Sequence, residues 1–168
     1  MEINFEALTL DNCGEAYKID RSDIPEDFVD DVPTLTETLR FGRDNGLIGY
    51  SYLIKADGRP VGTILLGQGL YCEGEDPPEV AEIPFYRLVF FVLDKNYRGH
   101  GLGSQILSTT IDRVFRDFGE RPIVLGVHKD NTKAMRFYER RGFTKTPYNE
   151  GNDIVFTRGL GTLDNAEA

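Results

Sequence analysis

FYRLVFFVLDKNYRGHGLGSQILSTTIDRVFRDF, residues Phe85 to Phe118, changes its hydrophobic period once, across a glycine-rich turn. Phe85 to Leu93 is apolar at nearly every position, as expected of a central strand covered on both faces, and Arg87 must reach an edge or a partner. From Gly101 the apolar positions Leu102, Ile106, Leu107, Thr110, Ile111, Val114, Phe115 and Phe118 recur at three- and four-residue steps, the period of an amphipathic helix. Between them lies Asp94-Lys-Asn-Tyr-Arg-Gly-His-Gly-Leu-Gly-Ser104. Gly99, Gly101 and Gly103 lack Cβ, so the backbone can curl and aim successive N–H groups at one point. The new helix adds its positive pole and Arg98 a fixed charge. The stretch reads as a phosphate cradle. It has no Gly-Lys-Ser/Thr and is no P-loop. Its glycines are also too closely spaced for the dinucleotide fingerprint, whose ribose-binding acid is missing because Asp117 and Glu120 fall at the end of a helix.

Upstream, Ile3 to Leu8 reads as a first strand. Asp11 offers an N-cap for a short helix through Ile19, and Thr34 to Arg43 gives a second helix ending near Gly42 or Gly46. Tyr50 to Ala56 and Val61 to Gln68 are β-rich runs joined by Asp57-Gly58-Arg59-Pro60, a hairpin signal. The stretch before Phe85, with three prolines and five acids, is a loop. Downstream follow a strand over Pro122–Val127, a helix over Asn131–Arg141 closed by Gly142, and strands over Phe143–Thr146 and Ile154–Arg158. The order predicts a mixed α/β (α+β) fold with hairpins at both ends and one strand–helix–strand crossover. Residues 1–160 are expected to form one domain, with 161–168 a frayed tail.

The net charge of −9 argues against a nucleic-acid partner, since neutralising phosphates requires a basic surface. No apolar window is long enough for a membrane span, and the N-terminal residues lack a secretory pattern, so a cytoplasmic protein is expected. Cys13 and Cys72 read as reduced structural thiols; with His100 and His128 they make no plausible metal set. Residues 1–94 carry a charge of −12, residues 95–143 of +5 and residues 144–168 of −2. An acidic first half beside a basic second part suits two ligands of opposite charge, although ordinary surface charge gives the same count.

Two separate motifs resemble the GNAT superfamily of acyl-CoA-dependent N-acetyltransferases. Arg98-Gly99-His100-Gly101-Leu102-Gly103 is similar to its loop pattern of Gln or Arg, two residues, Gly, one residue, Gly or Ala. Leu125 to Phe143, with Asn131, Ala134, Tyr138 and Gly142, is similar to its strand and helix at the coenzyme's sulfur end. The resemblance spans roughly residues 2–160. It implies a twisted, mostly antiparallel sheet with flanking helices, in which the strands Phe85–Leu93 and Pro122–Val127 splay apart for pantetheine. It also implies acetyl-CoA as cosubstrate, bound by backbone groups of Val92 and Leu93 and by the N–H groups of Arg98, Gly99, His100, Gly101, Leu102, Gly103 and Ser104. Asn131 would cap its helix and contact the coenzyme, and Tyr138 would occupy the general-acid position.

Acyl transfer to an amine also needs a base, because an ammonium of pKa about 10.4 costs roughly 4.6 kcal/mol to deprotonate at pH 7. Glu82, just before the long strand, is the first candidate, with Asp30 and Asp31 as rivals; an ordinary solvated carboxylate explains Glu82 equally well. His128 reads as structural, and His100 as a phosphate contact or a solvated side chain. Asp20 to Asp31 holds six acids and one Arg, and Glu73 to Glu82 five more acids, which would attract a polycation. A small cationic amine, loosely as in bacterial polyamine acetyltransferases, is the expected acceptor, with Asp30 and Asp31 as its contacts. Acetylation of a protein N-terminus or lysine, and a non-catalytic coenzyme A sensor, stay open. A homodimer is left open as the assembly, with no metal, nucleic acid or membrane as partner.

Overall fold

A computed structural model describes residues 1–160; the tail expected over 161–168 lies outside the described residues. Seven strands of the described residues run in the order Ile3–Ala7, Gly49–Ala56, Arg59–Gln68, Tyr86–Leu93, Ile123–His128, Asp153–Arg158 and Thr144–Glu150, mostly antiparallel. The described residues gather into two compact units, Met1–Gly67 with Val89–Gly119, and Gln68–Leu88 with residues 120–160.

The first unit contains β1 (Ile3–Ala7), α1 (Val32–Asp44), β2 (Gly49–Ala56), β3 (Arg59–Gln68), most of β4 (Tyr86–Leu93) and α2 (Leu102–Phe118). β2 and β3 form the expected hairpin. Asp57 and Gly58 both take positive φ, 49° and 80°, as a two-residue turn matched to strand twist requires. Leu8, Cys13, Leu35, Leu53, Leu65 and Phe90 make one core cluster, with Leu39 one helical turn beyond Leu35 packed on it. Burying a side chain such as Leu53, which is fully enclosed, contributes about 1.5–3 kcal/mol. α2 buries Leu102, Ile106, Leu107, Thr110, Ile111 and Val114, the face read from its period, and Gly119 ends it.

Two local expectations in this unit are corrected. Asp11 caps no helix: Cys13–Lys18 is a 3-10 turn preceded by Asn12, whose Oδ1 accepts from Thr9 N–H at 2.8 Å. A six-residue segment with Gly14 near its start is too short to propagate α-helical bonding. α1 begins earlier than Thr34, because Asp31 accepts from the Thr34 amide at 2.9 Å and Pro33 fits the first turn.

The second unit contains the start of β4, β5 (Ile123–His128), α3 (Thr132–Glu139), β6 (Thr144–Glu150) and β7 (Asp153–Arg158). β4 pairs parallel with β5 through Tyr86↔Ile123 and Arg87↔Val124, with α2 as the crossover in sequence. Val80, Phe85, Val124 and Val155 form its buried cluster. Arg87 finds the partner its strand demanded: Nη2 lies 2.6 Å from the Asp76 carboxylate, which is buried. α3 stops at Glu139, short of the expected Arg141, before the left-handed Gly142. β6 runs four residues past the expected Thr146, through a register shift between Lys145 and Asn149. Pro147 lacks an N–H for the ladder, and the Thr146 hydroxyl instead bonds Val155 O at 2.7 Å. Cys72, expected to be structural, is exposed; the Glu75 carboxylate pushes its thiol pKa up.

Candidate active site

In the first unit the glycine-rich turn read as a phosphate cradle combines left-handed glycines with a helix start. Gly99 and Gly101 sit at φ 83° and 81°, and Gly101 enters α2 with no side-chain cap on the helix. Helical bonding opens with Gln105 N–H to Gly101 O at 3.1 Å. Uncapped first-turn amides under a left-handed glycine suit an anion such as a pyrophosphate. His100 is exposed, Leu102 buried, and Gly103 and Ser104 half-buried in the first turn.

Arg98 does not extend from this loop as a free charge. Its Nε donates to Leu93 O at 2.8 Å, its Nη1 pairs with Asp23, and its buried Nη2 has no hydrogen-bond partner among the described residues. Leu93 O is therefore occupied. The next amide, Asp94 N–H, donates to Val61 O in β3 at 2.7 Å, so strand alternation turns Leu93 N–H away from β3.

β4 itself is kinked. Phe90 takes φ 52°, a conformation that costs a bulky residue roughly 1–2 kcal/mol. The buried Thr63 hydroxyl, donating to Phe90 O at 2.7 Å, helps hold it. Phe90 and Val92 then form one wall of a cleft of about 180 Å³. Asp30, Asp31, Arg21 and Tyr17 line the rest together with apolar side chains of the 3-10 turn and α1. Three residues singled out in the sequence, Asp30, Asp31 and Val92, thus meet in one place. Hydrogen bonds from the Thr34 hydroxyl and amide hold the Asp31 carboxyl below its usual range, with the Arg21 charge adding. Asp31 is a fixed anion and a poor proton acceptor.

Several bonds tie the acidic segment to the glycine-rich turn. The buried Asp94 accepts Asp20 N–H at 2.9 Å, Lys95 N–H donates to Asp20 O at 2.8 Å, and Arg98 pairs with Asp23. Asp94, Arg21 and Thr63 were not singled out in the sequence. An Asp followed two residues on by Asn is a local capping signal that could have found Asp94, and Arg21 is the lone cation in an acidic run.

In the second unit Asn131 caps α3, its Oδ1 accepting Ala134 N–H at 3.2 Å. Tyr138 packs edge-on against Phe137 and Phe143, and burial holds its phenol above the usual value of 10.0. His128 is buried, with Nδ1 accepting Asp130 N–H at 3.1 Å. Glu82 is exposed on the loop before β4. Glu150, which sequence reading missed, lies at a strand end and is exposed as a residue. Partial burial, aided by Glu75, Asp153 and Asp76 and opposed by Arg87, raises its carboxyl. Among the described residues no group of His, Cys, Asp or Glu is arranged to hold a metal ion.

Residues 15–143 match the model of the Acetyltransferase (GNAT) family. The chain belongs to that family. A probable spermine N(1)-acetyltransferase of Bacillus subtilis subsp. natto is 26% identical over 143 residues, covering 85% of this chain and 88% of that protein. The PaiA N-acetyltransferase of Thermoplasma acidophilum, solved with coenzyme A, superposes with a TM-score of 0.66 at 16% identity, covering 95% of this chain and 100% of the other. AAC(6')-Ib, solved with ribostamycin and coenzyme A, gives 0.68 at 16% identity over 100% and 99% of the two chains. These structural likenesses establish the GNAT fold. As a family member the chain is an acetyltransferase. No helix among the described residues is long and apolar enough to cross a membrane.

Proposed function

We propose that this chain transfers acetyl from acetyl-CoA to a primary amine on a small cation, a polyamine or diamine by preference, in the cytoplasm. The observation that carries the acceptor reading is the cleft, whose lining brings Asp30 and Asp31 together with the apolar residues Phe90 and Val92. Two carboxylates attract an ammonium, and the apolar part of the lining suits a methylene chain. The relative named as a probable spermine N(1)-acetyltransferase supports the same class of acceptor.

The coenzyme reading rests on the cradle. Gly99, Gly101 and the first-turn amides of α2, through Ser104, are assigned the pyrophosphate, and the N–H of Leu93 with the backbone of Val92 is assigned the pantetheine amides. Arg98 orders this loop through Leu93 and Asp23. Asn131 is assigned the cap of α3 together with a coenzyme contact. Acetyl-CoA supplies a thioester that an unprotonated amine attacks at the carbonyl carbon; the C–S bond breaks and coenzyme A leaves as the thiol. Glu82 is assigned removal of the amine proton, directly or through water, while the Asp31 carboxyl is engaged in capping α1 through Thr34. Tyr138 is assigned the leaving sulfur. Free thiol release from acetyl-CoA across a panel of amines tests the proposal: release that depends on a primary amine is expected, and none with any amine overturns it.

A further inference from the structure

The acceptor cleft contains a cation of its own. Arg21 is half-buried, lines the cleft with Asp30 and Asp31, and donates from Nη1 to Asp30 O at 3.1 Å. Its charge also acts on the Asp31 carboxyl. That carboxyl cannot swing away, because Oδ1 accepts from both the Thr34 amide at 2.9 Å and the Thr34 hydroxyl at 2.7 Å. The backbone bond restrains the guanidinium in the same way. The Asp31 carboxylate and the Arg21 guanidinium are thus held in place; with Asp30 they give the lining a net charge of −1, and the rest of it carries no formal charge.

We infer that Arg21 sets the charge selectivity of the acceptor cleft by holding the place that a second ammonium would take. The inference rests on the acceptor reading above. A monoamine needs one anion and finds it. An acceptor with further ammonium groups gains from Asp30 and Asp31 but is repelled by Arg21, because like charges a few ångströms apart in a half-buried site oppose each other. Each added positive charge on the acceptor meets the same opposition. Arg21 thereby narrows the advantage of polycations over monoamines while leaving the apolar wall unchanged.

The test is equilibrium binding of spermidine and of hexylamine, by calorimetry at low salt, to the wild-type chain, Arg21→Gln and Arg21→Lys. Thermal melting should first confirm that both variants fold. Gln keeps a donor for Asp30 O without charge; Lys keeps the charge. The ratio of hexylamine Kd to spermidine Kd should rise roughly tenfold in Arg21→Gln and stay near wild type in Arg21→Lys. An unchanged or lower ratio in Arg21→Gln overturns the inference, as does an equal rise in Arg21→Lys, which would make Arg21 only a brace for the Asp30 backbone. Absence of spermidine binding overturns it too. Acetyl transfer is scored separately: no thiol release, with the binding ratios as expected, would remove the enzymatic reading and leave the selectivity of the cleft standing.

Discussion

At the scale of single residues, burial of Tyr138 changes what its phenol can do. A leaving thiolate of pKa about 8.5 is a weaker base than a phenolate of pKa about 10, and raising the phenol further makes full proton transfer still less favourable. Tyr138 is thus better suited to donate a hydrogen bond to the sulfur than to surrender its proton. Tyr138→Phe should lower kcat about a hundredfold or less, with coenzyme Kd and melting temperature near wild type, measured by steady-state kinetics and calorimetry. The sign of its linkage follows from the raised folded pKa. Its contribution to stability is fully present below the unfolded value near 10 and is lost as pH rises through the higher folded value. Urea midpoints of wild type and Tyr138→Phe should therefore keep a constant difference up to about pH 10 and diverge above it to the detriment of wild type. Asp31 gives the opposite case: its lowered pKa keeps it ionised at any working pH. Asp31→Asn retains a capping oxygen but loses the charge, so the spermidine KM should rise several-fold while stability holds.

At the scale of elements, the cradle and the kinked strand carry separate consequences. No atom lies within 4 Å of a Cβ built on Gly101, so the cost of Gly101→Val comes from its φ of 81°. A β-branched residue there costs about 1–3 kcal/mol or shifts the loop. Either outcome should weaken acetyl-CoA binding at least tenfold, read by calorimetry, and unchanged affinity in a folded variant would contradict the cradle. In Gly62→Ala the new Cβ would lie 2.7 Å from Val92 O, a backbone atom that cannot swing aside. The variant should be less stable by about 1–3 kcal/mol in urea denaturation and bind acetyl-CoA less tightly. These elements differ in how readily the sequence shows them. α2 was legible because six of its buried positions keep one helical period, and the β2–β3 turn because Asp57-Gly58 fits positive φ at both positions. The 3-10 turn at Cys13 and the extension of β6 past Pro147 were not, since the first is too short to show a period and the second depends on a bond from the Thr146 hydroxyl that no periodicity encodes. Within the site, Gly99 and Gly101 announce their conformation by type. The kink at Phe90 does not, because an apolar residue in an apolar run conceals a positive φ held by Thr63.

At the scale of the whole molecule, the charge of −12 over residues 1–94 and +5 over residues 95–143 is the feature most open to a test in solution. Acetyl-CoA at a hundred times its Kd should stabilise the fold by about 2.7 kcal/mol, visible as a raised melting temperature that NAD and ATP do not match. Exposed carboxylates that steer a cation act over a screening length of about 8–10 Å in physiological salt, so any preference for a polyamine should shrink as salt is added. The most direct measurement is thiol release from acetyl-CoA with spermidine and with hexylamine, each at low and at high ionic strength. Amine-dependent release with a higher kcat/KM for spermidine, and a spermidine KM that rises with salt, is the expected result. No amine-dependent release, or equal kcat/KM for the two amines with no effect of salt, would contradict transfer to a small cationic acceptor.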